Sequence, residues 1–123
     1  MLAREPLTGQ RVVADPAAID ALVSRLPVAV TVMRLAPDEV FVVGPGTVWL
    51  GGDAIVESEA GFVAITVERE VVERHTEWPL PGPDAVAQGA IAGVPAKLAW
   101  LPDGRARIVA HAAYADELVD RLR

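Results

Sequence analysis

The stretch that decides the fold is the last third of the chain, AQGAIAGVPAKLAWLPDGRARIVAHAAYADELVDRLR, residues 87–123. Its centre reads as a strand (Ala96 to Leu101), a tight turn (Pro102-Asp103-Gly104) and a return strand (Arg105 to His111). Proline presets φ early in a turn and glycine accepts a positive φ, so these residues between two apolar runs predict a hairpin. After His111 the period changes. Tyr114, Leu118 and Leu122 recur at i, i+4 and i+8, the row of a terminal helix, with Glu117 and Arg121 spaced for a weak surface ion pair.

Upstream, Glu68 to Trp78 predicts a second amphipathic helix, with Val67, Val71, Val72, His75 and Trp78 on one side and Glu70, Glu73, Arg74 and Glu77 on the other. Pro79, Pro81, Gly82 and Pro83 end it in a short, rigid connector. Asp53 to Glu57 and Phe62 to Val67 read as two strands joined by the turn formers Ser58-Glu59-Ala60-Gly61, with Val63, Ile65 and Val67 sharing one face. Val28 to Leu35 and Val40 to Val43 read as another hairpin across Ala36-Pro37-Asp38-Glu39. Between breakers, Thr47 to Leu50 is a connection or an extra edge strand. Nearest the N-terminus, Arg11 to Ala14 is a short strand, and Asp15-Pro16 opens a helix to Leu26 whose buried stripe is Ile19, Leu22, Val23 and Leu26. The fold class is therefore α+β, an antiparallel sheet of hairpins with about three packed helices, in one domain spanning residues 1–123.

With 123 residues the chain is long enough to bury a core without disulfides or metal. It has no cysteine, so disulfides, zinc-thiolate sites and cysteine nucleophiles are excluded. The net charge of -6, one lysine (Lys97) and ten scattered arginines leave no basic stripe for a nucleic-acid backbone. No apolar window reaches membrane-spanning length, and Arg4 and Glu5 interrupt the place of a secretory core, so the expectation is a cytoplasmic protein. A mean hydropathy of +0.33 with 52% hydrophobic residues is high for a monomer and points to a protein partner or a second copy.

No residue set reads as an active site. Val43-Gly44-Pro45-Gly46 places Gly-x-Gly after a strand, but Trp49 stands where the third glycine of a dinucleotide fingerprint belongs and no helix follows, so it reads as a punctuated loop. His75 and His111 lie on different elements without ligand spacing, and both read as structural. Ser24 and Ser58 lack a nucleophile-elbow context, Lys97 reads as a solvated strand lysine, and Glu57 and Glu59 as surface carboxylates. No catalytic or metal-binding residue is expected. The candidates for partner contact are Trp49, Trp78 and Trp100, because aromatics are enriched in interfaces even though most are core residues.

Three segments carry a family resemblance. Met33 to Val43, MRLAPDEVFVV, resembles the L-x-P-D-E-W-L hairpin of the gamma subunit of heterotetrameric sarcosine oxidase and of folate-binding domains of the glycine-cleavage T-protein (aminomethyltransferase) type, with Phe41 in the aromatic position. GFVAITV (Gly61 to Val67) followed by a helix is similar to the family's strand and helix. AQGAIAGVP, the hairpin and the Tyr114-Ala115 helix resemble its closing A-Q-x-x-x-A-G-V-P and Y-A-x-x-L segments. The chain is shorter at its N-terminal end than such gamma subunits. The resemblance implies a folate-binding-type fold and a non-catalytic accessory subunit, itself free of cofactor, that supports flavin- and tetrahydrofolate-bearing partner chains in one-carbon metabolism. The alternatives are a stand-alone folate or one-carbon ligand-binding domain, or a homodimeric structural protein. No folate-contacting residue is transferred by it.

Overall fold

A computed structural model describes residues 2–28, 30–46, 48 and 51–123. In chain order the elements are β1 (Arg4–Val13), α1 (Pro16–Arg25), β2 (Val32–Ala36), β3 (Glu39–Val43), β4 (Ile55–Val67), α2 (Arg69–Arg74), β5 (Ala87–Ile91), β6 (Val94–Trp100), β7 (Ala106–His111), a single 3-10 turn (Ala112–Tyr114) and α3 (Ala115–Leu122). The hydrogen-bonded strand order is β2-β3-β1-β4-β7-β6-β5. This is the α+β class read from the sequence, an antiparallel sheet accompanied by three helices. The chain divides into two compact units, Leu7–Ala60 and a second made of Met1–Pro6 and Gly61–Arg123.

In the unit Leu7–Ala60, α1 begins after Asp15, but the aspartate caps it through its main chain. Its carbonyl accepts from the N–H groups of Ala18 (2.8 Å) and Ile19 (3.0 Å), and the carboxylate makes no cap bond. Ile19 and Leu22 then bury against Val12, Val40 and Val42. Strand β1 is ten residues long, where only Arg11 to Ala14 reads as a strand in the sequence. Its first seven residues, Arg4 to Gln10, are mostly polar apart from buried Leu7, and pairing with neighbouring strands overrides weak intrinsic preference. Gly9 is obligatory in that pairing: opposite Val43, a Cβ at residue 9 would stand 2.0 Å from the Val42 carbonyl oxygen. Strand β2 begins at Val32, later than Val28, because Val30 N–H bonds back to Pro27 (2.9 Å) in a turn that leaves Val28 fully exposed. Of the segment Thr47 to Leu50, only Val48 is described, and its N–H donates to the Gln10 side-chain oxygen.

The hairpin expected around Ser58-Glu59-Ala60-Gly61 is replaced by one thirteen-residue strand, β4. The four residues have turn chemistry, but they run on without a break into Phe62–Val67, which pairs residue by residue with β7, and context outranks local preference. The predicted face is nevertheless real. Val63, Ile65 and Val67 oppose Ala110, Ile108 and Ala106 of β7 and belong to one core with Leu98, Ile91, Val94, Val72, Leu118 and Leu122.

The second helix, α2, stops at Arg74, four residues before the expected Trp78. His75 leaves helical geometry with φ -118° while its N–H bonds Val72 (2.9 Å), and the Thr76 hydroxyl donates to the same carbonyl at 3.0 Å. Two donors on one carbonyl close the helix, and Pro79 disfavours helical backbone at Trp78. At the far end, the buried row of α3 is Ala115, Leu118, Val119 and Leu122, with Tyr114 outside it and exposed. Glu117 and Arg121 do form the expected i, i+4 ion pair.

Candidate functional site

In the opening stretch, the segment before the central hairpin is itself a strand. β5 (Ala87–Ile91) pairs with β6 from Ala87↔Leu98 to Ile91↔Val94 without a shift of register. The two residues between them, Ala92 and Gly93, have φ of 50° and 78°. Two consecutive positive values make the tight two-residue turn whose twist suits a hairpin. The turn is clipped from both sides: Ala92 N–H donates to the His75 carbonyl (2.8 Å), and the Arg121 guanidinium donates to the Ala92 carbonyl (2.7 Å).

The proline-rich connector between α2 and β5 is fastened by two of the three tryptophans. Trp78 Nε1 donates to the carbonyl of Ala90 at 2.8 Å, and Trp100 Nε1 to that of Pro81 at 2.9 Å. Both indoles also pack on the edge of the core. The Arg69 guanidinium lies 4.6 Å from the centre of the Trp100 ring, a cation-π contact. Gly89 makes room for Trp78, since a Cβ there would meet the indole at 2.8 Å. Beside Trp78 is an open cleft of about 360 Å³ lined by Arg74, His75, Glu77 and Gly93, and beside Trp100 one of about 540 Å³ lined by Arg69, Pro83, Asp84 and Leu101. The third candidate, Trp49, lies outside the described residues.

The remaining polar candidates are dispersed. His75 lines the first cleft, whereas His111 is exposed on β7 with its ring 4.9 Å from that of Phe62. Lys97 is half-buried, where the sequence reading had it solvated, because its ammonium sits 4.5 Å from the Phe62 ring centre. Ser24 donates to Ala21 within its own helix turn (2.8 Å), Ser58 is exposed on β4, and Glu57 lies 3.8 Å from Arg11. Gly44 and Gly46 both have positive φ, as a loop of that composition needs, and they line an open cleft of about 490 Å³ with Gln10, Val30 and Val48. Among the described residues no three His, Asp or Glu side chains stand together as metal ligands. Asp103, in the exposed β6–β7 turn, has its carboxyl held below the usual range by the backbone N–H and then the guanidinium of Arg105. That is turn chemistry.

This arrangement organises the surface around the connector. Sequence reasoning missed Arg69, Gly89, Ala90 and Arg121 as parts of it. Gly89 alone carried a signal, being a glycine inside an apolar run, which marks a close approach.

Neither a protein-family model nor a curated protein sequence matches the chain. Among solved structures, it is similar to a chain of the heterotetrameric sarcosine oxidase from Corynebacterium sp. U-96, determined in complex with pyrrole 2-carboxylate. The TM-score is 0.75 at 19% sequence identity, and the match covers 99% of this chain and 80% of the other. At that identity the likeness establishes the fold. Among the described residues no helix is long and apolar enough to cross a membrane.

Proposed function

We propose that this chain is a non-catalytic accessory subunit, of the kind the sarcosine oxidase gamma subunit represents, supporting a larger flavin-dependent amine-oxidising assembly in one-carbon metabolism. The observation that carries the reading is the end-to-end structural match to a chain of an oxidase that is itself heterotetrameric. The match runs through nearly all of this sequence and all but a fifth of the other chain, which is more than the likeness of a shared supersecondary fragment. The dispersed polar residues agree with it, and so does the motif resemblance in Met33 to Val43 and residues 87–123.

In this reading flavin and tetrahydrofolate belong to the partner chains, and this chain contributes protein contacts in the cytoplasm as a single folding domain. Trp78 and Trp100 act indirectly, holding the connector in the shape a partner meets. Interfaces are anchored by a few rigid, well-packed groups. The test is purification of the tagged chain from its native lysate. Larger chains with visible flavin absorbance should accompany it in fixed stoichiometry. Recovery of the folded chain alone, or of a homodimer, would overturn the proposal.

A further inference from the structure

We propose that the cleft beside Trp78 binds a free α-amino acid with an aliphatic side chain, holding both of its charged ends at once. One side of the cleft is the end of α2 and the residues just after it, Arg74 to Glu77; the other is Trp78, Ala90 and the Ala92-Gly93 turn. Its volume of about 360 Å³ is near the small end of ligand sites, which run from roughly 300 to 1,000 Å³, and suits one small molecule. Much of the hydrogen-bonding capacity of these walls is already spent. The Thr76 hydroxyl donates to Val72 (3.0 Å), the Trp78 indole N–H donates to Ala90 (2.8 Å), and the Ala92 carbonyl accepts from Arg121 (2.7 Å).

The two full charges on the cleft are not spent. Among the described residues neither Arg74 nor Glu77 has a hydrogen-bond or ion-pair partner, although both line the same cleft. Glu70, four residues before Arg74, holds the favoured helix position for an ion pair, the position from which Glu117 pairs with Arg121. Arg74 makes no such pair and lines the cleft instead. Because α2 ends at Arg74, Glu77 reaches the cleft from the non-helical connector.

A cation and an anion on one small cleft select against simple ions. A lone carboxylate is drawn to Arg74 and repelled by Glu77, and a lone amine meets the reverse. A molecule carrying both charges satisfies both: its carboxylate takes the Arg74 guanidinium and a ring N–H of His75, and its ammonium takes the Glu77 carboxylate. Trp78, Ala90 and Ala92 supply an apolar wall for an aliphatic side chain. That wall is fixed before anything binds, since the indole packs on Gly89 and bonds Ala90, while the His75 carbonyl and Arg121 clip the turn. Preformed walls reduce the ordering cost of binding. The inference does not depend on the accessory-subunit reading, since every residue it uses belongs to the isolated chain.

The experiment is an NMR titration of the isotope-labelled full chain, at constant ionic strength and neutral pH, with three probes. They are L-leucine, isocaproate, which lacks the ammonium, and isoamylamine, which lacks the carboxylate. Leucine should give saturable shifts at the Gly93 amide and the Trp78 indole N–H with a millimolar Kd, and each one-charge analogue should bind at least about tenfold more weakly. Arg74→Gln should weaken leucine about tenfold and erase its advantage over isoamylamine, and Glu77→Gln should do the same with respect to isocaproate. Absence of saturable leucine shifts in the natural chain overturns the proposal. So does an analogue that binds the natural chain as tightly as leucine, because an apolar cleft alone would then account for the binding. Leucine affinity left unchanged by either substitution overturns it as well. Where circular dichroism shows a variant to be unfolded, the natural chain's ranking of the three probes decides.

Discussion

Ala92 is the described non-glycine residue whose backbone is left-handed, and replacing it should raise stability in a specific order. At φ 50° an L side chain crowds the following carbonyl, at a cost of roughly 1–2 kcal/mol. Ala92→Gly removes that cost but returns about 0.5–1 kcal/mol through the freer unfolded chain. It also surrenders part of a methyl packed against the core, a fraction of the ~0.8 kcal/mol of a fully buried carbon. The net for glycine is about 0–0.5 kcal/mol of stabilisation. Ala92→Asn keeps the Cβ, tolerates the left-handed region and makes the Asn-Gly pair favoured in this turn, so the expected gain is about 0.5–1 kcal/mol. The main-chain bonds to His75 and Arg121 are unaffected by either change. Urea unfolding with unchanged slope, supported by a rise of roughly 2–4 °C in Tm for Ala92→Asn, would show this order. The reasoning fails if asparagine is no better than alanine, or if Ala92→Val, which adds β-branching at positive φ, is tolerated without loss.

Three further outcomes follow from particular contacts. Gly9→Ala drives a Cβ to 2.0 Å from the Val42 carbonyl and should cost more than about 3 kcal/mol in chemical denaturation or abolish folding. Leu118→Ala, fully buried in α3, should lose roughly 2–5 kcal/mol by the same measurement, whereas exposed Tyr114→Ala should lose under about 1 kcal/mol; equal losses would refute the assigned helix face. Because the Asp103 carboxyl is held below its ordinary 3.8, it contributes stability above that value and loses it as the pH falls through its lowered folded value. Asp103→Asn should therefore shrink the loss of Tm between about pH 5 and pH 2 slightly, a small effect because the group is exposed, and an unchanged pH profile would show the Arg105 contacts to be idle.

The parts of the fold legible in the sequence are those where local chemistry and pairing agree. Asp15-Pro16 sets the start of α1, Pro37-Asp38 and Pro102-Asp103-Gly104 mark hairpin turns, and the alternation Val63, Ile65, Val67 marks the core face of β4. Where pairing partners outrank local preference, the reading fails. Ser58 to Gly61 has the composition of a turn, yet it is strand, continuous with the Phe62–Val67 ladder to β7. Arg4 to Gln10, mostly polar apart from Leu7, is strand although its composition gives no strand signal. α2 ends before the Trp78 that the spacing predicts, because amphipathic spacing continues to Trp78 while the helical backbone does not: helical period in a sequence records which side chains face the core, and Trp78 faces it from a non-helical connector.

The place of Trp78 in a non-helical connector bears on function. A tryptophan at an accessible position reads as a binding residue when only residue types are known, since its buried area and single donor suit an interface. In the structure the donors of Trp78 and Trp100 are already committed, to Ala90 at 2.8 Å and Pro81 at 2.9 Å. A partner that bound by drawing either indole out would first have to break that bond and uncover the core beside it, so its contacts must exceed both losses. A partner that instead meets the connector as it stands loses neither. The second route makes the clips a device for preorganisation, and it predicts that truncating Trp100 weakens partner capture even though its indole makes no new bond in the complex. Trp100→Phe should then retain most of the packing against the core and the Arg69 contact while losing the Pro81 bond, and capture by that variant should fall between the natural chain and Trp100→Ala. Equal capture by all three chains, each shown folded by circular dichroism, would remove Trp100 from the interface altogether.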